Sequence, residues 1–316
     1  MSWQHLFLCK LLIILVLMTG CSSPLSESGP STSTAVSSQH GTDMNRIPPA
    51  ESELVELLKK QRQEVLWCVD EFDCYAGDDI AAWNAEKVDY KVLWETISST
   101  VFEDVDILCT ESTSEVSYFT LSNGLNCDIY EDSLSLVVAD EKNFLESTGG
   151  LEEVEKKLAD TLSFFFNMEL ELSRHTETER IYSFIFNKLP ISEFGYGYRN
   201  GGFVPGAYMR VLEESDGSGA IFISFSATPK EKENTYSNAE LVDESKIIQL
   251  CTADLMANYP EKSVILVIED AALTYALDPS GGRFVPMVQL QGYRFDGEKW
   301  EANRIINALT GEIFWN

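Results

Sequence analysis

The sequence predicts an α+β fold made of repeated units, each one helix packed on an antiparallel β-sheet. Two observations carry this. Three segments have helical apolar spacing, and each is followed by several short alternating strands rather than by a single one. A parallel α/β fold would need strands and helices in regular alternation, and that order is absent. A third observation is an internal echo. "GGFVP" at 201–205 and "GGRFVP" at 281–286 each follow a helix and a strand and lead into another strand, as a duplicated unit would.

The first helix is expected over 51–69, "ESELVELLKKQRQEVLWCV", with Leu54, Leu58, Val65 and Val69 on one face. Strands are expected over 104–110, 115–121 and 125–130 and in "SLSLVVAD", with Asn123-Gly124 supplying a tight turn. These elements make an N-terminal α+β domain of 50–145. A second helix over about 150–167 stacks Leu151, Val154, Leu158, Leu162 and Phe165 on one stripe. Strands follow in "RIYSFIFNKL", "GAYMRVLEES" and "GAIFISFSA". The third helix, over 243–258, aligns Ile248, Cys251 and Leu255 and stops before Pro260. "KSVILVIED", "AALTYALD", "FVPMVQLQGYRF", "KWEANRIINAL" and "EIFW" are the closing strands. Together they form a C-terminal domain of 146–316, divisible into units at 146–235 and 240–316.

The N-terminus predicts location. Lys10 is the only charged side chain of the first twenty, and Leu11–Met18 is an apolar run too short to span a bilayer comfortably. Thr19, Gly20 and Cys21 follow. A charged start, a short apolar core and small residues at the cut form a secretory signal over 1–20. The "MTG" before Cys21 resembles the lipobox of bacterial lipoproteins. The resemblance implies lipidation of Cys21, a membrane anchor and residence on the extracytoplasmic face of the cell membrane. Residues 21–49 are rich in Ser, Thr, Pro and Gly, and cannot bury enough surface to offset their ordering entropy. They are expected to act as a disordered tether reaching on the order of 30 Å.

Composition excludes several chemistries. The net charge of −28 repels phosphate, so nucleic acid and anionic lipid are poor ligands; solubility alone accounts for such a charge, and a cationic partner is the sharper alternative. Of three histidines only His175 lies beyond the leader and tether, so a multi-histidine zinc site is excluded and no metal or cofactor is expected. No Ser or Cys motif accompanies it, and no pair of carboxylates stands out among many, so no catalytic residue is assigned. "DEFDCYAGDD" at 70–79 lacks the alternating ligand spacing of a calcium loop and reads as a solvated turn. An oxidising envelope permits disulfides among Cys68, Cys74, Cys109 and Cys127. If 104–130 is a meander, however, Cys109 and Cys127 sit on strands separated by a third, roughly 10 Å apart and too far to bridge. The pairing stays open.

"FGYGYRNGG" misses the spacing of a phosphate-cradling loop and lacks the helix that should follow. Its rings Phe194, Tyr196 and Tyr198 are candidates for a partner surface, with packing against the sheet as the alternative.

The stretch "YALDPSGGRFVPMVQLQGY…RIINALTGEI" resembles the carboxyl-terminal part of PepSY-like and YycI/YycH-type extracytoplasmic domains. It covers roughly 240–316, with a fainter echo over 150–225. The resemblance implies that Asn307, Thr310 and Gly311 are turn residues, that the tail is the last hairpin, and that the protein regulates a sensor kinase or secreted protease by docking. Three readings follow: a non-catalytic surface lipoprotein with an envelope protein partner, a binding lipoprotein for a small cationic ligand or peptide, and a carboxylate-dependent envelope hydrolase.

Overall fold

A computed structural model describes residues 47–315 except 61–62, 71, 73–79, 199–201, 215–217 and 238–239. The signal segment, Cys21, the tether up to residue 46 and most of the acidic cluster at 70–79 lie outside the described residues. The described chain falls within one unit, Met44–Asn316. It is mixed α+β with mostly antiparallel sheets, as expected.

Helix α1 (Glu51–Leu58) ends a full eleven residues before the expected Val69. Gln63–Trp67 is instead strand β1, paired in parallel with β15 (Val264–Leu277) from Gln63–Val264 to Trp67–Ile268. The run Val65-Leu66-Trp67 is β-branched and bulky, and a place beside the apolar strand β15 buries Val65 and Trp67. Two elements without an expected counterpart follow, β2 (Ile80–Lys87) and α2 (Tyr90–Thr100). Asp89 starts α2, its carboxylate accepting from the amides of Lys91 and Val92 at 2.9 and 3.3 Å. Leu93, Trp94 and Ile97 then form its buried face.

The meander comes next: β3 (Ile107–Ser112), β4 (Ser117–Leu121), β5 (Leu125–Ile129) and β6 (Ser133–Val138). Gly124 sits at φ 84° in the expected Asn-Gly turn, and a Cβ there would meet the Asp140 carbonyl oxygen at 2.5 Å. Helix α3 (Glu141–Thr148) precedes α4 (Leu151–Phe166), and then come β7 (Glu169–His175), β8 (Glu179–Phe186), β9 (Leu189–Pro190), β10 (Tyr196–Tyr198), β11 (Gly202–Val204), β12 (Tyr208–Glu213) and β13 (Gly219–Ser224). After β14 (Ala227–Tyr236) and α5 (Glu244–Asn258), the chain ends with β15, β16 (Arg283–Phe295), β17 (Lys299–Glu301), β18 (Arg304–Asn307) and β19 (Ile313–Trp315). The expected pair "KSVILVIED" and "AALTYALD" is the single strand β15, irregular between Ile268 and Asp270.

Two sheets result. The first runs β1-β15-β16-β18-β19-β10-β11, with β2 paired to both β16 and β14. Helix α5 covers one face through Ile247, Cys251 and Leu255, and Arg304 reaches Asp254 at 3.5 Å. Helix α1 covers the other through Leu54, which joins Ile265, Val267, Tyr293 and Phe295. The Ser192 amide donates to the Tyr275 carbonyl at 2.7 Å, so β15 is bonded on both sides there. The second sheet is antiparallel throughout, β3-β4-β5-β6-β13-β12-β8-β7, with β9 beside β8.

The expected boundary at 145/146 is not a boundary in the fold. β6 pairs with β13, β1 with β15, and β2 with β14 and β16, so strands from both segments are neighbours in both sheets. One apolar cluster extends from Val65 to Ala308. The two echoed segments also play different parts. Phe203-Val204 lies on the three-residue strand β11, whereas Phe284-Val285-Pro286 opens the thirteen-residue β16.

Candidate functional site

The second sheet presents two unlike faces, set by the alternation of side chains along its strands. One face carries Cys127, Leu134, Leu136, Phe184, Met209, Val211, Ile221 and Ile223, all buried against helices α2 and α4. Trp94 of α2 stacks on Phe119 with ring centroids 5.5 Å apart, and Phe166 of α4 meets Phe184 edge-on at 5.3 Å. The same face holds an ionic cluster. Arg180 of β8 forks onto Glu155 of α4 with N–O distances of 2.7–3.0 Å, and also reaches Glu213 at 2.9 Å. Tyr182 donates to Glu155 at 2.5 Å. Burial first, then the Glu155 carboxylate, pushes the Tyr182 phenol up to about 12.

The opposite face is built from the alternate residues. In register across β4, β5, β6, β13 and β12 it carries Tyr118, Asp128, Ser135, Phe222 and Arg210. Tyr118, Asp128, Phe222 and Arg210 are half-buried, and Val137 beside them is exposed. No described helix packs on these side chains. Arg210 is held by Glu179 at 2.5 Å. Tyr130, farther along the same face, has its phenol pushed up by burial and then by Asp128 and Tyr118. The outcome is a broad aromatic surface interleaved with small polar residues.

A cleft of about 980 Å³ opens beside this face, where the β3–β4 and β5–β6 hairpins approach the β2–α2 turn and the loop after β15. Its rim holds Tyr130, Asp132 and Phe203, the last 65% exposed. Lys87 pairs with Glu131 across it. Its charged groups are partly engaged in structure: Asp89 caps α2, and Asp278 accepts from the Ser280 amide at 3.0 Å and from Arg283 at 3.1 Å. The Ser280 hydroxyl also donates to Asp278, and chemically this arrangement can bind.

Of the rings expected to form a partner surface, Tyr196 is corrected by the structure. It is fully buried, donates its hydroxyl to the Leu277 carbonyl, and lies 5.0 Å from the Phe314 ring. A strand residue between β11 and β19 faces the core on alternate positions, and Tyr196 takes one of them. Phe194 is half-buried and packs on the same cluster. The side chain of Tyr198 and the lipidation residue Cys21 lie outside what is described. His175 ends β7 in an exposed position. Cys68, Cys109, Cys127 and Cys251 are free thiols, and Cys109 and Cys127 do lie on strands separated by β4. Among the described residues no group of three or more His, Cys, Asp and Glu is placed to hold a metal, and no helix is long and apolar enough to cross a membrane. The open sheet face escaped sequence reasoning because its pattern matches an ordinary solvated face.

No protein-family model matches the chain, and no curated protein sequence matches it. A solved structure, that of an uncharacterized protein from Eubacterium rectale, is similar in shape at 13% identity with a TM-score of 0.49. The match covers 83% of this chain and 97% of the other.

Proposed function

We propose that the chain is a non-catalytic lipoprotein, anchored through Cys21 on the extracytoplasmic face of the cell membrane, that works by docking to another envelope protein. The observation that carries this reading is the helix-free aromatic face of the second sheet, centred on Tyr118 and Phe222. Half-exposed aromatic side chains among small polar ones provide contact area at little entropic cost, and contiguous patches of this kind mark interaction surfaces. The acidic composition selects a partner with a basic surface. The resemblance to PepSY-like and YycI/YycH-type domains adds regulation of a sensor kinase or secreted protease to the proposal. Helices α2 and α4 each pack on antiparallel strands that follow them, which supports reading that part of the chain as a repeated unit, whereas α5 packs mainly on β1, which precedes it. A second reading, a small cationic ligand, draws support from the cleft rimmed by Tyr130, Asp132 and Phe203.

The docking reading is tested by placing a photoactivatable residue at Phe222, or at exposed Lys246 on α5, in the lipidated protein in cells. A discrete adduct from position 222, absent from 246, is expected. Equal, diffuse labelling from both positions contradicts it. Cys21→Ala should leave the protein unprocessed or free of the membrane fraction.

A further inference from the structure

Strand β3 ends the second sheet, and all six of its residues are exposed. Ile107 is 48% and Leu108 66% exposed, and Cys109 lies between them and the hairpin. Edge strands are ordinarily protected by Lys, Pro or a covering element. Here "ILCTES" contains neither Lys nor Pro, and its one irregularity, between Ile107 and Cys109, leaves Cys109 to Ser112 in regular register with β4.

The hydrogen-bond pattern shows which groups are offered. The Thr113 amide donates to the Val116 carbonyl at 2.8 Å and closes the β3–β4 hairpin. Counting back along an antiparallel ladder, Glu111 and Cys109 turn their amides and carbonyls toward β4, while Thr110 and Ser112 turn theirs outward. A row of backbone groups therefore faces an incoming strand.

Charge selects that strand. Between Lys91 and Lys142 the sequence contains eleven Asp and Glu and no Lys, Arg or His. This interval includes β3, β4, β5 and β6, so one whole end of the sheet is acidic. Asp104, Asp106 and Glu111 are exposed beside the edge itself. A second copy of β3 would bring these carboxylates against their own counterparts, which disfavours self-pairing.

We infer that β3 is a docking edge for an extended, basic segment of a partner protein, which adds a strand to the second sheet. This deepens the docking function proposed above and rests on it. Main-chain bonds to Thr110 and Ser112 supply attachment, and alternate basic side chains meet Asp106 and Glu111. Ile107 and Leu108 take the apolar positions between.

The test uses the mature chain and a fluorescein-labelled octapeptide of alternating Lys and Val, read by fluorescence anisotropy. Its companions are a backbone N-methylated version and a Glu/Val version. Proline is tolerated at an outward-facing edge position, so Thr110→Pro removes one offered amide while leaving the β4 ladder intact. The expected result is binding of the Lys/Val peptide weakened at least tenfold by Thr110→Pro, by N-methylation and by the Asp106→Lys, Glu111→Lys pair. Equal charge reversal at Glu244 and Glu261 should change it less than threefold. Undiminished binding of the N-methylated peptide would overturn the proposal, and that arm stands even if Thr110→Pro fails to fold. A dimer linked through Cys109 on sedimentation would also overturn it in favour of self-pairing. Photoadducts at position 222 that persist without peptide discrimination would reject the β3 edge and leave the docking function standing.

Discussion

At the scale of single residues, Glu155 decides the most. Its side chain is 6% exposed and that of its partner Arg180 18%, so each depends on the other for charge compensation. Removing one member of a buried pair costs roughly 3–5 kcal/mol because the remaining charge is left uncompensated. Glu155→Ala should therefore lower the urea-unfolding free energy by about that amount, whereas replacing both residues by Met should cost less than Glu155→Ala alone. A loss below about 1 kcal/mol for Glu155→Ala would show that Glu213 and water suffice for Arg180. Cys251 gives a pH-dependent counterpart. Burial lifts its thiol from 9.0 to about 12, with Arg304 opposing and Asp254 assisting. A folded-state value above the unfolded one means the contribution is fully present below about pH 9 and is lost as pH rises toward 12. Cys251→Ala should flatten the decline of the urea midpoint between pH 9 and 10.5, and an unchanged slope would refute the assignment.

Among the elements, the tail carries the clearest expectation. β19 is flanked by β18 on one side and β10 on the other, and Phe314 is buried against Tyr196. Asn307 holds the preceding turn by accepting from the Leu309 and Thr310 amides, both at 3.0 Å, as a turn residue should. Deleting 309–316 removes Phe314 and half-buried Ile313 and leaves two unpaired edges. At about 1.5–3 kcal/mol per large side chain, the melting temperature should fall by roughly 5–10 °C or more. A truncated chain that melts normally would mean the tail is an exposed peptide. The meander, the Asn-Gly turn, α4 and α5 were legible because local spacing sets them. α1 is shorter than its spacing predicts: Val65 and Val69 keep helical spacing with Leu54 and Leu58, and only the pairing with β15, some two hundred residues away, makes 63–67 a strand. α2 carries its own signal, Asp89 followed by Leu93, Trp94 and Ile97 at helical spacing. β14, "ATPKEKENTY", has mostly exposed residues and two register shifts against β2, so no alternation announces it.

For the molecule as a whole, the interleaving of both segments in two sheets was beyond sequence reasoning, since partners such as β6 and β13 leave no mark in local composition. The core is shared, and the uneven covering of the second sheet leaves its aromatic face and its acidic edge for contact. The central claim, docking through the open face, is tested most directly by competition in isolated envelopes. Membranes bearing the lipidated protein photolabelled at position 222 are mixed with excess unlabelled chain beginning at Met44, the compact unit. Wild-type competitor should abolish the adduct in proportion to its concentration, and Phe222→Asp competitor of equal thermal stability should fail to do so. Equal competition by both, with the adduct lost to either, would contradict the account.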